Sequence, residues 1–211
     1  PLTANRGRSR WIIDGEFWKK RAKIKGILTG IYANTNRLIR LVSVFLNLSR
    51  IESGKFTVTR KTSDLVKIVK KILSELLFSA QDKGVKLNLK TSVDSLKARV
   101  DADKIEDVMI NLIDNAIKYT PKHGSVKVKL LDLGSKARFE VKDTGQGLKP
   151  SEIKTLFSQF VRGKRASQTS SGTGIGLYIA KRIVQAHQGE IGVQSDGIGK
   201  GCTFWVEIPK R

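Results

Sequence analysis

The 211-residue chain has one cysteine, four prolines and two histidines, and no stretch approaches the ~20 consecutive apolar residues that cross a bilayer. A lone Cys202 excludes an internal disulfide. Neither His123 nor His187 belongs to a Cys/His cluster with metal-site spacing, which excludes zinc modules. No signal-peptide pattern opens the chain, so the expected setting is reducing and cytoplasmic. Acidic residues are also scarce: 19 Asp+Glu face 40 Lys+Arg, for a net charge of +21. Such a field attracts polyanions. The excess is spread out, however, with thirteen basic and three acidic residues in 1–60 and scattered lysines beyond. No zinc finger, basic zipper or aromatic–basic RNA signature accompanies it, so specific nucleic-acid binding is not expected. Most of these lysines read as solvated surface, and a surface supercharged by design is a second account of the charge.

What is present suits a globular protein. Apolar residues make up 39% of the chain, enough for a core. Residues 1–18 carry Leu2, Trp11, Ile12, Ile13, Phe17 and Trp18, the remnant of an amphipathic helix, and Asp14-Gly15-Glu16 forms a turn. From residue 19 to 53, Ile24, Leu28, Ile31, Thr35, Leu38, Val42 and Phe45 alternate spacings of four and three. Gly54 then caps the helix. A long helix with a wide apolar stripe needs partners, and dimerisation into a four-helix bundle supplies them. Beyond it, Phe56–Arg60 alternates like a strand, and Ser63 can cap a helix ending near Gly84. Strands are expected at 85–89 and 98–100, a helix from Asp101 or Asp103 to Tyr119, and a hairpin around Gly134-Ser135. A helix over 174–187 and strands near 190–195 and 203–208 follow. The expected fold is α+β: a two-layer sandwich with a mixed, mostly antiparallel sheet and helices on one face, over residues 55–211. A helical hairpin over residues 1–54 precedes it.

Four local patterns carry chemistry. Asn111, Asn115 and Lys118 fall four and three apart on one helix, followed by Tyr119. Two carboxamides and an ammonium on one stripe suit phosphate oxygens and a hydrated magnesium ion, though the stretch alone is also an ordinary polar helix face. Asp143-Thr-Gly145-Gln-Gly147 follows a strand, where glycines admit a ligand close to the backbone and the carboxylate can accept a hydrogen bond from an amine. Alone it is also an ordinary turn. Gly172-Thr173-Gly174-Ile175-Gly176-Leu177 leads into a helix, whose free N–H groups suit a phosphate, though alone the string is equally a flexible linker or a tight packing turn. Between these lie Phe157, Phe160, Arg162, Lys164, Arg165 and a Ser/Thr/Gln run, the composition of a mobile lid whose cations either meet a triphosphate or face solvent.

In this order and spacing the set resembles the N, G1, F and G2 boxes of the histidine kinase catalytic domain, within the wider family of gyrase, Hsp90 and MutL ATPases. The resemblance covers roughly residues 56–211. Asn36–Val42 and Leu48–Gly54 resemble the second helix of that family's dimerisation and phosphotransfer domain, and Pro1–Ala4 the stretch following its acceptor-histidine motif. It implies ATP and Mg2+ as cofactors, with Asn115 as metal ligand assisted by Asn111. Asn111, Lys118 and Arg162 would act in catalysis. Lys118, Tyr119, Asp143, Gly145, Gly147, Lys164, Gly172, Thr173, Gly174, Ile175, Gly176 and Leu177 would surround the nucleotide, with Asp143 on the adenine amine. It further implies a response-regulator receiver domain as partner, a homodimer through the helical segment, and a parent protein that can be membrane-anchored.

Neither His123 nor His187 stands where the acceptor would be, so the phosphate acceptor is expected on a histidine outside this chain. The reading is therefore the ATP-binding catalytic portion of a two-component sensor histidine kinase. The alternatives are an ATPase or protein-serine kinase of the same superfamily, or a basic scaffold or nucleic-acid-binding protein, natural or engineered, with a vestigial ATP site.

Overall fold

In the computed structural model, residues 48–159 and 174–211 are described continuously, preceded by single helical positions at 28, 31, 35, 38, 42, 45 and 46. The chain divides into two compact units, Pro1–Phe56 and Thr57–Arg211. In the first, the described positions from 28 to 52 are helical (α1). Gly54, at φ +69°, ends α1, with Lys55 N–H on the Arg50 carbonyl at 2.9 Å and Gly54 N–H on that of Ile51 at 3.2 Å. This double bond is the Schellman closure that only a left-handed residue makes easily, as the sequence led one to expect. Leu28, Val42, Phe45 and Leu46 are exposed, Phe45 by 69%. The expected helix remnant over 1–18 and the turn at 14–16 lie outside the described residues.

The second unit runs β1 (Lys61–Asp64), α2 (Leu65–Asp82), β2 (Lys86–Thr91), β3 (Lys97–Val100), α3 (Ala102–Tyr119), β4 (Ser125–Asp132), β5 (Lys136–Asp143), α4 (Pro150–Thr155), α5 (Gly176–Ala186), β6 (Glu190–Gln194) and β7 (Thr203–Pro209). Strict alternation along β4, β5 and β7 puts Val126, Val128, Leu130, Phe139, Val141 and Val206 on one face, all buried. These strands belong to a five-stranded sheet of order β2-β4-β5-β7-β6, and β1 pairs separately with β3. Only β2 and β4 run parallel; the other pairs are antiparallel. On the apolar face α2 packs over β2, α3 over β4 and β5, and α5 over β6 and β7, with α3 touching both other helices. The expected α+β sandwich with a mixed sheet and helices on one face is what the chain forms.

Two local expectations are corrected. Residues 55–60 form no strand; the first strand begins at Lys61 and pairs with β3. The polar groups there serve tertiary contacts instead: Thr59 N–H bonds the Asp101 carboxylate at 2.9 Å, and the Arg60 guanidinium reaches the Ala186 carbonyl at 2.6 Å. The cap of α2 is Asp64, not Ser63. Its Oδ1 accepts Val66 N–H at 3.0 Å and Leu96 N–H at 3.2 Å, while Ser95 Oγ donates to Oδ2 at 3.0 Å. One carboxylate with four lone-pair sites does what a hydroxyl cannot.

His187 joins the two helices that flank the site. It follows α5, is 2% exposed, and its Nε2 accepts the Asp101 N–H at 2.9 Å where α3 begins. Nδ1 meets the Ile183 carbonyl at 2.8 Å, so the proton sits on Nδ1. At the end of α5 the ring is thus a neutral imidazole rather than a cation complementing the helix dipole. Burial holds its pKa below the ordinary 6.5; the Ile183 carbonyl pulls the other way, Arg60 lowers it and Asp101 raises it. Between the depressed native value and 6.5 only the unfolded chain binds the proton, so this contribution is present above pH 6.5 and is lost as pH falls. Urea unfolding from pH 7 to 5 should show a decline in stability that His187→Gln flattens; equal slopes in parent and variant would contradict this role.

Candidate functional site

The site grows from α3. Asp101 starts this helix, its Oδ1 accepting Lys104 N–H at 3.3 Å. Ile105, Val108, Leu112 and Ile113 are all at most 1% exposed against the sheet and neighbouring helices. That stripe leaves Asn111, Asn115 and Lys118 half-buried along its border. Asn115 Nδ2 donates to Asn111 Oδ1 at 3.2 Å, one turn apart. Asn111 Nδ2 is buried and has no hydrogen-bond partner among the described residues. An orphaned amide of this kind costs about 1–3 kcal/mol unless something arrives to accept from it.

Gly176, the first residue of α5, lies against this amide. A Cβ there would come within 2.8 Å of Asn111 Oδ1. The glycine therefore lets the N-terminus of α5 approach the carboxamides, and with it the free N–H groups that favour anions. Ile175 and Leu177 flank it half-buried, and Gly174 has φ +71°.

At the far end of α3, Lys118 Nζ lies 5.3 Å from the centre of the Tyr119 ring. Lys83 donates to the carbonyls of Ile117, at 2.8 Å, and Lys118, adding positive charge where the helix dipole is negative. The Asp143 turn meets the same end. Gln146 N–H reaches the Tyr119 carbonyl at 3.4 Å, and a Cβ at Gly145 would come within 2.6 Å of that oxygen. Asp143 closes β5 on the helix side of the sheet and is 4% exposed. Its Oδ1 accepts N–H groups from Gly145 at 2.7 Å and Cys202 at 3.2 Å. Oδ2 accepts none among the described residues. Burial pushes the carboxyl's pKa up, against the pull of these two N–H donors.

Thus α3 brings Asn111, Asn115 and Gly176 together at one point, and Tyr119, Asp143 and Gly145 at another, two turns along. Gly147, at φ +65°, packs against the loop before β7: a side chain there would collide with the Gly197 carbonyl. Phe157 is half-buried. Phe160, Arg162, Lys164, Gly172 and Thr173 lie outside the described residues.

Sequence reasoning missed the segment from Gly197 to Cys202. Gly199 N–H bonds the Gln146 carbonyl at 2.7 Å, and Gly201 N–H that of Gly145 at 3.1 Å. Cys202 N–H is one of the two donors on Asp143. Burial pushes its thiol up to about 11, so the sulfur is a neutral packing group here. Three alternating glycines before a strand were the available signal. Lys83 gave no signal at all.

Fold and site together define a class: a two-layer α+β domain with a carboxamide helix, a glycine-led helix start and a strand-end carboxylate set along one helix. Comparison with known proteins gives the family. Residues 100–211 match the family described as "Histidine kinase-, DNA gyrase B-, and HSP90-like ATPase", and the chain belongs to it. It is an ATP-binding catalytic domain of the sensor histidine kinase type. The sensor protein KdpD of Clostridium acetobutylicum is 32% identical over 215 residues, covering 100% of this chain and 23% of that protein. The chain spans well under half the length of the curated relatives it matches. Among solved structures, the Acinetobacter baumannii histidine kinase AdeS is 25% identical with a TM-score of 0.69, covering 100% of this chain and 95% of that one. Histidine kinase ThkA in complex with response regulator protein TrrA shares the fold at 21% identity and a TM-score of 0.66, covering 97% of this chain and 57% of that one. Among the described residues, no helix is long and apolar enough to cross a membrane.

Gly201 offers a direct check. At φ +70° its Cβ would collide with the Asp143 carbonyl. Gly201→Ala should cost about 2 kcal/mol or more in chemical denaturation, through strain and displacement of the Cys202 donor. A change under about 0.5 kcal/mol, the range of neutral surface substitutions, would contradict the geometry.

Proposed function

We propose that this chain binds Mg2+-ATP and supplies the catalytic half of a phosphoryl transfer from the ATP γ-phosphate to a histidine, for onward transfer to a receiver-domain aspartate. The observation that carries the reading is the Asn111–Asn115–Gly176 cluster. Asn111 Nδ2 is buried without an acceptor among the described residues, and the glycine keeps the start of α5 within reach of it. Phosphate oxygens are the acceptors that both an orphaned amide and a helix N-terminus favour.

Asn115 fits a metal role. Its Nδ2 is held by Asn111, which leaves Oδ1 for a cation. Among the described residues no group of three or more His, Cys, Asp or Glu is placed to hold a metal. A single amide oxygen completed by phosphate oxygens and water accords with magnesium chemistry. Bound there, the ion would neutralise charge on the phosphates. The chain's own groups would then orient the nucleotide. Asp143 Oδ2 accepts the adenine amine, Gly145 keeps the floor open, and Lys118 and Tyr119 line the edge. Gly147, Gly172, Thr173, Gly174, Ile175 and Leu177 shape the glycine-rich borders, and Arg162 and Lys164 offset the triphosphate charge. Catalysis of this kind rests on positioning and charge stabilisation.

The acceptor is a histidine other than His123 and His187. His187 has both ring nitrogens engaged in a buried latch, which supports this assignment. The exposed apolar positions of α1 support self-association of residues 1–54 as a dimerisation segment, and ThkA's pairing with a response regulator supports the same kind of partner here.

Calorimetry should detect magnesium-dependent ATP binding that Asn115→Ala and Asp143→Ala each weaken by about 10–100-fold, the range for groups that hold or orient a metal–ligand complex. Affinity should also fall in acid as Asp143 gains its proton, in a window above the ordinary carboxylate range. Absence of ATP binding by the parent, or unchanged binding by both variants, would overturn the reading. Label from γ-phosphate reaching a supplied histidine-bearing helical domain in acid-labile form identifies the kinase. Release as inorganic phosphate alone would favour an ATPase.

A further inference from the structure

We infer that Ser195 is the positioning residue that aims the Asp143 carboxylate, and through it sets the preference for a purine bearing an exocyclic amine. The inference rests on the proposed adenine contact of Asp143. Ser195 stands just beyond β6 and is half-buried. Its Oγ donates to the Gly201 carbonyl at 2.7 Å and accepts Leu148 N–H at 3.0 Å. The Gly197 N–H and carbonyl each lie 3.4 Å away. One hydroxyl therefore joins three segments: the end of β6, the turn after β5 and the loop entering β7.

Both strong bonds lead to the same carboxylate oxygen. Gly201 precedes Cys202, whose N–H donates to Asp143 Oδ1. Leu148 ends the turn whose Gly145 N–H donates to that oxygen as well. The loops are also zipped by backbone bonds from Gly201 to Gly145 and Gly199 to Gln146, but Ser195 is the side chain that spans them from outside. Asp143 makes no ion pair among the described residues, so the direction of its free Oδ2 depends on two backbone N–H groups. Those groups stay in register only while the two loops do. Removing the hydroxyl leaves the Leu148 N–H and Gly201 carbonyl without their partner, and the loops can separate around the carboxylate.

The role predicts a change in discrimination rather than a general loss. Purine riboside triphosphate lacks the exocyclic amine and keeps every phosphate. The parent should bind ATP more tightly than this analogue in the presence of magnesium. In Ser195→Ala, ATP affinity should fall about tenfold, the scale of one charge-assisted hydrogen bond, while affinity for the analogue stays within about twofold. Ser195→Thr keeps a hydroxyl and should restore most of the preference. Thermal unfolding of each variant separates this from simple loosening. A lowered Tm with equal loss for both nucleotides would make Ser195 structural and overturn the inference, as would an unchanged ATP preference in Ser195→Ala. A parent that binds both nucleotides equally would instead remove the adenine contact of Asp143, leaving phosphate binding by Asn111 and Asn115 standing.

Discussion

The rotation of α3 about its own axis is the constraint on which the rest depends. Its apolar stripe, with Leu112 and Ile113 fully buried, allows one orientation on the sheet. Each such side chain contributes roughly 1.5–3 kcal/mol when removed from water, so turning the helix by one residue would expose several of them. The amides at 111 and 115 are held at the border by residues that never touch a ligand. Three separate parts of the chain take their positions from this helix: the start of α5 against Asn111, the Asp143 turn against Tyr119, and Lys83 on the last carbonyls. The core thus builds the site's geometry before any ligand is considered.

Charge is distributed by the same economy. With 19 carboxylates against 40 basic side chains, few acids are left to pair lysines at random. Asp64 and Asp101 cap helices, and Asp143 orients a turn. Arg138 lies between Glu140 and Glu207, 2.7 Å from each, with its guanidinium 4.8 Å from the Trp205 ring centre. Trp205 in turn packs against Gly192, where any side chain would collide with the indole. This cluster organises the solvent face of the sheet around β5, β6 and β7. The lysines in excess of such pairs are best understood as solubilising surface.

Much of the fold was legible because its signals are short-range. The stripe of α3, the Gly54 closure and the alternation of β4, β5 and β7 each follow from residues within a few positions of one another. The failures share a cause. Phe56–Arg60 alternates like a strand, but Thr59 and Arg60 bond to groups 42 and 126 residues away, and those contacts outweigh the local pattern. Ser63 and Asp64 are both good caps by type. Only the arrival of Leu96 and Ser95 selects the carboxylate. His187 reads from the sequence only as a histidine near a helix end, because the Asp101 N–H that it accepts lies 86 residues away. The lid residues between 160 and 173 were named from composition, and the described structure does not extend to them.

By itself the amino-acid order determined which residues face inward, where most helices and strands begin, and that carboxamides, an aspartate turn and a glycine-led helix occur in the order found in this ATPase family. Hydrogen-bonding types and a period of 3.6 or 2 are properties of neighbours along the chain, so they need no knowledge of the fold. Tertiary structure decided the companions of Asp143. The Cys202 N–H that orients it is 59 residues distant, delivered by the register of β5 against β7, and the Ser195 hydroxyl comes from beyond a third strand. Strand register is a collective outcome of packing the whole sheet. For that reason only the Gly145 donor is legible next to Asp143, while the Cys202 and Ser195 groups leave no mark in the residues around it.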